Sequence, residues 1–276
     1  MGTLYVVATP IGNLEDITLR ALRILAEVSL IAAEDTRTTR KLLVHHGIKA
    51  RLLSYNEHNM KERTPRILAE LALGDVAIAS DAGTPAVSDP GYELVVAAIS
   101  AGIRVVPIPG ASSLLAAVVA SGLPPRRFTY LGFLPRRAAE RRRLLISLAS
   151  DPYTFVAFES PHRLRRTLED ILAVLGDRHV AVCREMTKFY EEIFRGTVRE
   201  AIAHFNAPRG EFTLVVEGAA PDSPVASEEE AISLLRQLKA EGIRAKEAVR
   251  SVASKTGLPH RSVYALWVEM SRQANS

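Results

Sequence analysis

Between residues 4 and 122, short apolar runs alternate with stretches whose apolar residues recur at helical spacing, and this alternation leaves few folds open. Strands are expected at 4–8, 30–33, 51–55, 76–79 and 105–108. Helices are expected between them at 18–28, 38–46, 63–73, 92–101 and 111–121, with Thr18 as a cap and Gly47, Gly74 and Gly122 as stops. Such alternation predicts an α/β fold whose sheet is mostly parallel, with helices on both faces.

Gly122-Leu123-Pro124-Pro125 marks a boundary, and the pattern changes beyond it. Strands are expected at 128–133, 153–158, 180–184, 193–198 and 212–216, with clear helices only at 138–148 and 163–175, which describes an α+β domain with a mixed sheet. Residues 219–227, with Pro221 and Pro224, read as a linker. From Ser227 the chain is helical, opening on a capping-box pattern, Ser227-Glu228-Glu229-Glu230. Ala253, Gly257, Val263 and Leu266 stand at helix-turn-helix spacing, with Trp267 adding to that small core. A nucleic-acid reader and a helical hairpin that serves only packing both fit this tail. The expected domains are thus 1–122, 123–219 and 227–276.

Composition removes whole classes. A hydrophobic content of 47% is that of a soluble globular protein. One cysteine, Cys183, excludes an internal disulfide framework and fits a reducing cytoplasm. Neither a signal peptide nor an apolar segment long enough to span a bilayer is visible, so no membrane partner is expected. The net charge of +4 permits an anionic partner without demanding one.

There is no GxxxxGK[ST] phosphate loop, no GxGxxG fingerprint, no serine nucleophile elbow and no zinc-site spacing among the histidines, so no metal is implied. What stands out is residues 80–91, Ser-Asp-Ala-Gly-Thr-Pro-Ala-Val-Ser-Asp-Pro-Gly, at the carboxyl end of a buried strand. A backbone-lined loop there lets a ligand approach the main chain closely, at the sheet edge where open α/β sheets bind ligands. Polar clusters follow other strands: Glu34-Asp35-Thr36-Arg37, Asn56-Glu57-His58-Asn59, and Pro109-Gly110-Ala111-Ser112-Ser113, which opens a helix able to hold an anion. Glu185 and Lys188 follow a strand of the second domain. Arg126, Arg127, Arg136, Arg137, Arg141, Arg142 and Arg143 crowd one segment with Phe128, Tyr130 and Phe133 interleaved and only Glu140 opposing. That composition suits a nucleic-acid surface, and equally a solvated helix face.

Residues 8–17 (Ala-Thr-Pro-Ile-Gly-Asn-Leu-Glu-Asp-Ile), 33–37, 80–91, 109–113 and 158–163 (Phe-Glu-Ser-Pro-His-Arg) together resemble the ribosomal RNA small-subunit methyltransferase I family, cytidine 2′-O-methyltransferases of the tetrapyrrole-methylase-like superfamily. The resemblance covers nearly the whole chain. It implies two α/β domains with S-adenosylmethionine in the cleft between them, in a homodimer. The implied substrate is a cytidine ribose in the decoding region of 16S rRNA, within the 30S subunit or as free rRNA. Asn56 stands where the family more often has His.

On that basis Ile11, Asp81, Ala82, Gly83, Thr84, Pro85, Gly110, Ala111, Ser112, Ser113, Phe158 and Thr213 are the expected cofactor-binding residues. Lys188, Asp35, Glu185 and His58 are candidates for removing the ribose proton, with water as the alternative acceptor. Lys188 would serve as the base if burial lowered its pKa. Arg37, Arg126, Arg127, Arg136, Arg137, Arg141 and Arg142 are the expected RNA contacts. Two rivals remain: a methyltransferase of this fold acting on a tetrapyrrole or protein residue, and a helix-turn-helix regulator.

Overall fold

The computed structural model describes residues 2–220, 228–240, 243 and 245–273. Pro221, Pro224 and the Ser227 cap lie outside them. The first domain holds strands β1 (Thr3–Val7), β2 (Leu30–Ala33), β3 (Leu52–Ser54), β4 (Val76–Ala79) and β5 (Arg104–Ile108). All are parallel, in the order β3-β2-β4-β1-β5. Helices α1 (Leu19–Glu27), α2 (Thr36–His45), α3 (Met60–Leu73), α4 (Tyr92–Ser100) and α5 (Ser113–Ser121) connect them or lead onward.

The two-residue period of a strand explains the layering. Val76 and Ile78 meet Ile67 and Leu71 of α3 and Leu94 and Ala98 of α4. Ala77 and Ala79 face Ala21 and Leu25 of α1 and Leu43 of α2. β2 and β4 are buried on both faces, hence their unbroken apolar runs. Two helices of this domain start earlier than periodicity alone indicates. α2 begins at Thr36 because the Asp35 carboxylate accepts the Arg37 amide at 2.8 Å. α3 begins at Met60 and contains Pro65.

The second sheet comprises β6 (Phe128–Phe133), β7 (Thr154–Glu159), β8 (His179–Arg184), β9 (Glu192–Thr197) and β10 (Phe212–Val216), in the order β6-β7-β10-β8-β9. β6 runs parallel to β7, and the other pairings are antiparallel. α6 (Ala138–Ser147), α7 (Pro161–Leu175) and α8 (Val198–His204) cover one face over Val180, Val182, Leu214 and Val216. The expected strand 193–198 ends at Thr197, and α8 adds a helix to the two anticipated. Its seven residues are too few for periodicity to show, but Thr197 and Glu200 form a complete capping box. The opposite face, with Val156, Ala181, Cys183 and Val215, packs on Ala117 and Val118 of α5 and on Ile11. The last helix before the expected boundary at 122 therefore belongs to the core that joins the sheets. α9 (Glu228–Ala240), α10 (Ala245–Thr256) and α11 (His260–Gln273) share their own small core around Leu235, Val249, Val252 and Val263, with Leu266 and Trp267 packed against it. The turn after α10 runs through Gly257 at φ +71°.

The arginine segment is not one patch. Arg126 and Arg127 precede β6 and Arg136 and Arg137 follow it, so the six-residue strand sets the pairs roughly 20 Å apart. Arg127 bonds the Tyr153 hydroxyl at 2.7 Å. Arg141, expected on the RNA surface, is buried: its Nε bonds Asp170 of α7 at 2.8 Å, and Arg142 shares that carboxylate at 2.6 Å. Asp170 is thus an opposing charge that the local segment does not reveal. Removing one partner from a buried ion pair strands the other without water. Asp170→Ala is expected to lower the unfolding free energy by about 3–5 kcal/mol, read from chemical denaturation. Arg137→Ala, which breaks an exposed pair with Glu140, is expected to change it by less than about 1 kcal/mol.

Candidate functional site

β1 sits between β4 and β5, and the chain leaves β1 and β4 in opposite directions across the sheet. Ligands of open α/β sheets bind outside the strand ends at such a point. The turn after β1 and the loop after β4 are joined there. The Thr9 amide donates to the Gly83 carbonyl at 2.8 Å, the Gly83 amide returns a bond at 3.1 Å, and Thr9 Oγ1 donates to the Ser80 carbonyl at 3.1 Å. On the same edge a Cβ at Gly110 would fall 2.9 Å from Ala8 Cβ, a closeness only glycine allows. A Cβ at Gly12 would fall 2.4 Å from Lys188 Cγ, so the first turn also touches the turn between β8 and β9.

Beside this joint a cavity of about 730 Å³ opens between the two domains. That volume is in the range of about 300–1,000 Å³ of small-molecule sites. Ile11, Ala82, Gly83, Thr84, Gly110, Ser112, Ser113, Phe158 and Thr213 line it, nine of the twelve residues expected to hold the cofactor. Asp81, Pro85 and Ala111 are not in its lining. Asp81 instead ties two loops together: its carboxylate accepts the Asp35 amide at 3.1 Å, and its amide donates to Glu34 at 3.1 Å. The second half of the 80–91 loop contributes Val87, Ser88 and Asp89, and the second domain contributes Phe133, Met186 and Glu211. None of these was among the expected cofactor-binding residues. Asp89 and Phe133 had a legible signal, since both lie within or at the end of a segment already singled out.

A second pocket of about 430 Å³ adjoins it, lined by Glu34, Asp35, Thr36, Arg37, Ser54, Asn56, Glu57, His58 and Pro90. Asp89 lines one cavity and Pro90 the other, so the two meet at this dipeptide. Arg37 is clamped by Asp35, with Nε to Oδ1 at 3.0 Å and Nη2 to Oδ2 at 2.6 Å, and its side chain is otherwise exposed. Asp35, Arg37 and His58 thus share the small pocket. Glu185 and Lys188 stand apart, on the turn after β8.

The electrostatics redistribute the expected roles. For Lys188, burial alone would lower the pKa. Its ammonium bonds Glu185 at 3.0 Å and Glu211 at 2.8 Å, and these carboxylates hold it above the usual lysine value. That is the opposite of what a lysine base requires. Burial pushes Glu185 up, but the Glu211 amide and Lys188 outweigh it and leave the carboxyl below its ordinary range. The Arg37 side chain, then its amide, hold Asp35 at about 2. Asp89 goes the other way. Burial, with the charge of Glu34 and a smaller effect of Asp81, outweighs a hydrogen bond from Ser80 and pushes its carboxyl up to about 7. Burial also raises Glu34 and Asp81. Three carboxyl groups therefore crowd the border between the cavities, and Asp89 among them titrates near neutral pH.

Fold and cavity define a two-domain α/β methyltransferase: the tetrapyrrole (corrin/porphyrin) methylase family model matches residues 3–202. A ribosomal RNA small subunit methyltransferase I from Halalkalibacterium halodurans is 50% identical over 96% of this chain and 94% of its own length. Its counterpart from Thermotoga maritima is 55% identical over 79% of this chain and 99% of its own length. The chain belongs to the ribosomal RNA small subunit methyltransferase I family. Among solved structures, the uroporphyrin-III C-methyltransferase of Thermus thermophilus in complex with S-adenosylhomocysteine shares the fold. It has a TM-score of 0.56 and 21% identity, covering 78% of this chain and 97% of that one. Family membership removes the reading of the chain as a helix-turn-helix regulator. Among the described residues no helix is long and apolar enough to cross a membrane.

Cys183 lines the cavity, and burial pushes its thiol up to about 11. Only the thiolate attacks alkylating agents. Native Cys183 is expected to react with iodoacetamide at pH 8 about a hundredfold more slowly than in the urea-unfolded chain. Mass spectrometry of timed samples reads this, and equal rates would contradict the burial.

Proposed function

We propose that the protein transfers a methyl group from S-adenosylmethionine to the ribose 2′-oxygen of a cytidine in the decoding region of 16S rRNA. The observation that carries this reading is the pairing of two cavities across Asp89 and Pro90, a large one with apolar and polar walls and a small, mainly polar one around Arg37. The large cavity fits the methyl donor. Ile11, Phe158 and Thr213 offer a surface for adenine and ribose. The main chain at Gly83 and Thr84 and the amides opening α5 beside Ser112 and Ser113 offer partners for the amino-acid end. When bound, S-adenosylmethionine supplies a methyl group on a sulfonium, open to in-line displacement.

The chain's own residues do the rest. Two domains closing on one cavity align acceptor and donor, and alignment supplies a large part of such a rate. Arg37, fixed by Asp35, offers a guanidinium to a phosphate of the acceptor strand. A ribose hydroxyl is a poor nucleophile near neutral pH, so its proton needs an acceptor. Asp89 would take that proton from the 2′-oxygen, leaving the oxygen's electron pair for the methyl group that the bound donor would supply. Asp35, held at about 2, is too weak a base for this step, and Lys188, held by two carboxylates, keeps its proton.

The test is to incubate the protein with labelled S-adenosylmethionine and either 30S subunits lacking the modification or naked rRNA. Label is expected at a cytidine ribose, and the better substrate shows whether assembly precedes methylation. Absence of label in both RNAs, with donor binding intact, overturns the RNA assignment in favour of a tetrapyrrole or protein acceptor. Because the base form of Asp89 is the deprotonated one, kcat/KM for the methyl donor, which reports the donor-free protein, is expected to rise as pH increases through about 7. Asp89→Asn is expected to abolish that rise and to lower kcat by roughly 10²- to 10⁴-fold. An unchanged pH–rate profile in Asp89→Asn would leave the proton to water.

A further inference from the structure

We propose that Phe189 and Tyr190, at the tip of the turn joining β8 to β9, form a stacking platform for an unpaired base of the RNA beside the target nucleotide. The inference rests on the RNA reading above.

At 93% exposure Phe189 is the most exposed large apolar side chain among the described residues, and Tyr190 beside it is 69% exposed. Their rings stand edge to face, with centroids 5.0 Å apart and planes at 90°, so both present free faces to solvent. The turn beneath them is built rather than loose. The Thr187 amide donates to Glu191 at 2.6 Å, the Lys188 amide to the Glu185 carbonyl at 3.0 Å, and the Glu191 amide to the Lys188 carbonyl at 3.1 Å. The Lys188 ammonium adds its bonds to Glu185 and Glu211. Glu185 and Thr187 both take left-handed backbone, at φ 47° and 66°, a conformation that residues with a side chain adopt at a cost. A strained and heavily bonded turn thus holds two aromatic rings out in water.

Position supplies the partner. Met186 of the same turn and Glu211 beneath it line the methyl-donor cavity, so the turn that carries the rings is part of its wall. The sheet end that carries this turn also carries Phe133, in the cavity wall, and the exposed Arg136 and Arg137 beyond it. β6 and β9 are four strand spacings apart, roughly 19 Å. A single RNA strand laid along this end meets guanidinium groups on one side of the cavity, for phosphate, and aromatic faces on the other, for a base. Proteins read unpaired RNA by stacking its bases on such rings, whereas a duplex keeps its base faces covered.

The test measures steady-state methylation by the full chain on whichever RNA the wild-type protein modifies, with donor affinity, thermal stability and oligomeric state read in parallel. Phe189→Ala and Tyr190→Ala are each expected to raise KM for RNA by roughly 5- to 150-fold, with kcat, donor affinity and melting temperature unchanged. Phe189→Trp and Tyr190→Phe are expected to keep the wild-type KM, and Phe189→Leu to lose it. An unaltered KM in the double alanine variant overturns the platform. So does full rescue by leucine, which would mark a merely apolar contact, or conversion of a dimer to monomers, which would show a second copy of the chain covering the rings. Failure of the wild-type protein to label any RNA removes the RNA reading and the platform with it. Labelling by wild type and double variant at equal KM removes the platform alone.

Discussion

The backbone pairing of Thr9 with Gly83 is the constraint on which the rest of the site depends. It is a single antiparallel bridge outside either sheet, joining the turn that leaves β1 to the loop that leaves β4. Without it two neighbouring strand ends would carry independent loops, each paying its own ordering entropy. With it, residues 80–91 become a wall. Ser80 Oγ turns inward to the loop's own carbonyls, and Ser88 reaches Tyr130 of β6 at 2.7 Å, across the domain boundary. Gly110 against Ala8 completes the same edge from β5.

The contact between the two domains is a core and not a surface. α5 follows the first sheet in the chain but packs on the second, and Ile11 from the first turn joins it there. This explains how one helix serves two purposes. Its buried flank fixes the distance between the sheets, and its N-terminus, capped by Ser112, delivers unpaired amides to the cavity. A cleft with a packed core behind it suits a reaction whose rate rests on alignment.

Much of this was legible in the residues. Alternation between positions 4 and 122 determines a parallel sheet, because apolar runs such as 76–79 can be buried on both faces only between helices. It does not determine the strand order, which depends on which crossovers pass β4 and β1. The backbone-lined segments 80–91 and 109–113 were found because glycine, proline and capping residues at strand ends carry their own signal. The expectations that the structure alters have a common cause: they concern charges whose partners are distant in sequence. Arg141 looks like part of a basic surface until α7 brings Asp170 against it, 29 residues on. Lys188 looks like a base until Glu211 arrives from the start of β10. Nothing local distinguishes Asp89 from Asp81 in the same loop; burial and the approach of Glu34 do.

The contrast between Asp35 and Asp89 shows how one edge of a sheet divides its labour. Both follow the strands of the same domain, and their environments drive them in opposite directions. Asp35 is given to Arg37, and the pair is a fixed charge in the polar pocket. Among the described residues no cation is paired with Asp89. Burial first, then the charges of Glu34 and Asp81, favour its protonated form. An acidic cluster of this kind is costly while it stands alone and becomes favourable when a cation enters. On the reading proposed here that cation is a sulfonium. The same positive charge that the cluster attracts would lower the pKa of Asp89 and release its proton. Asp89 would then become a base most readily with the methyl donor in place, so the acidic pairing would couple binding to proton removal.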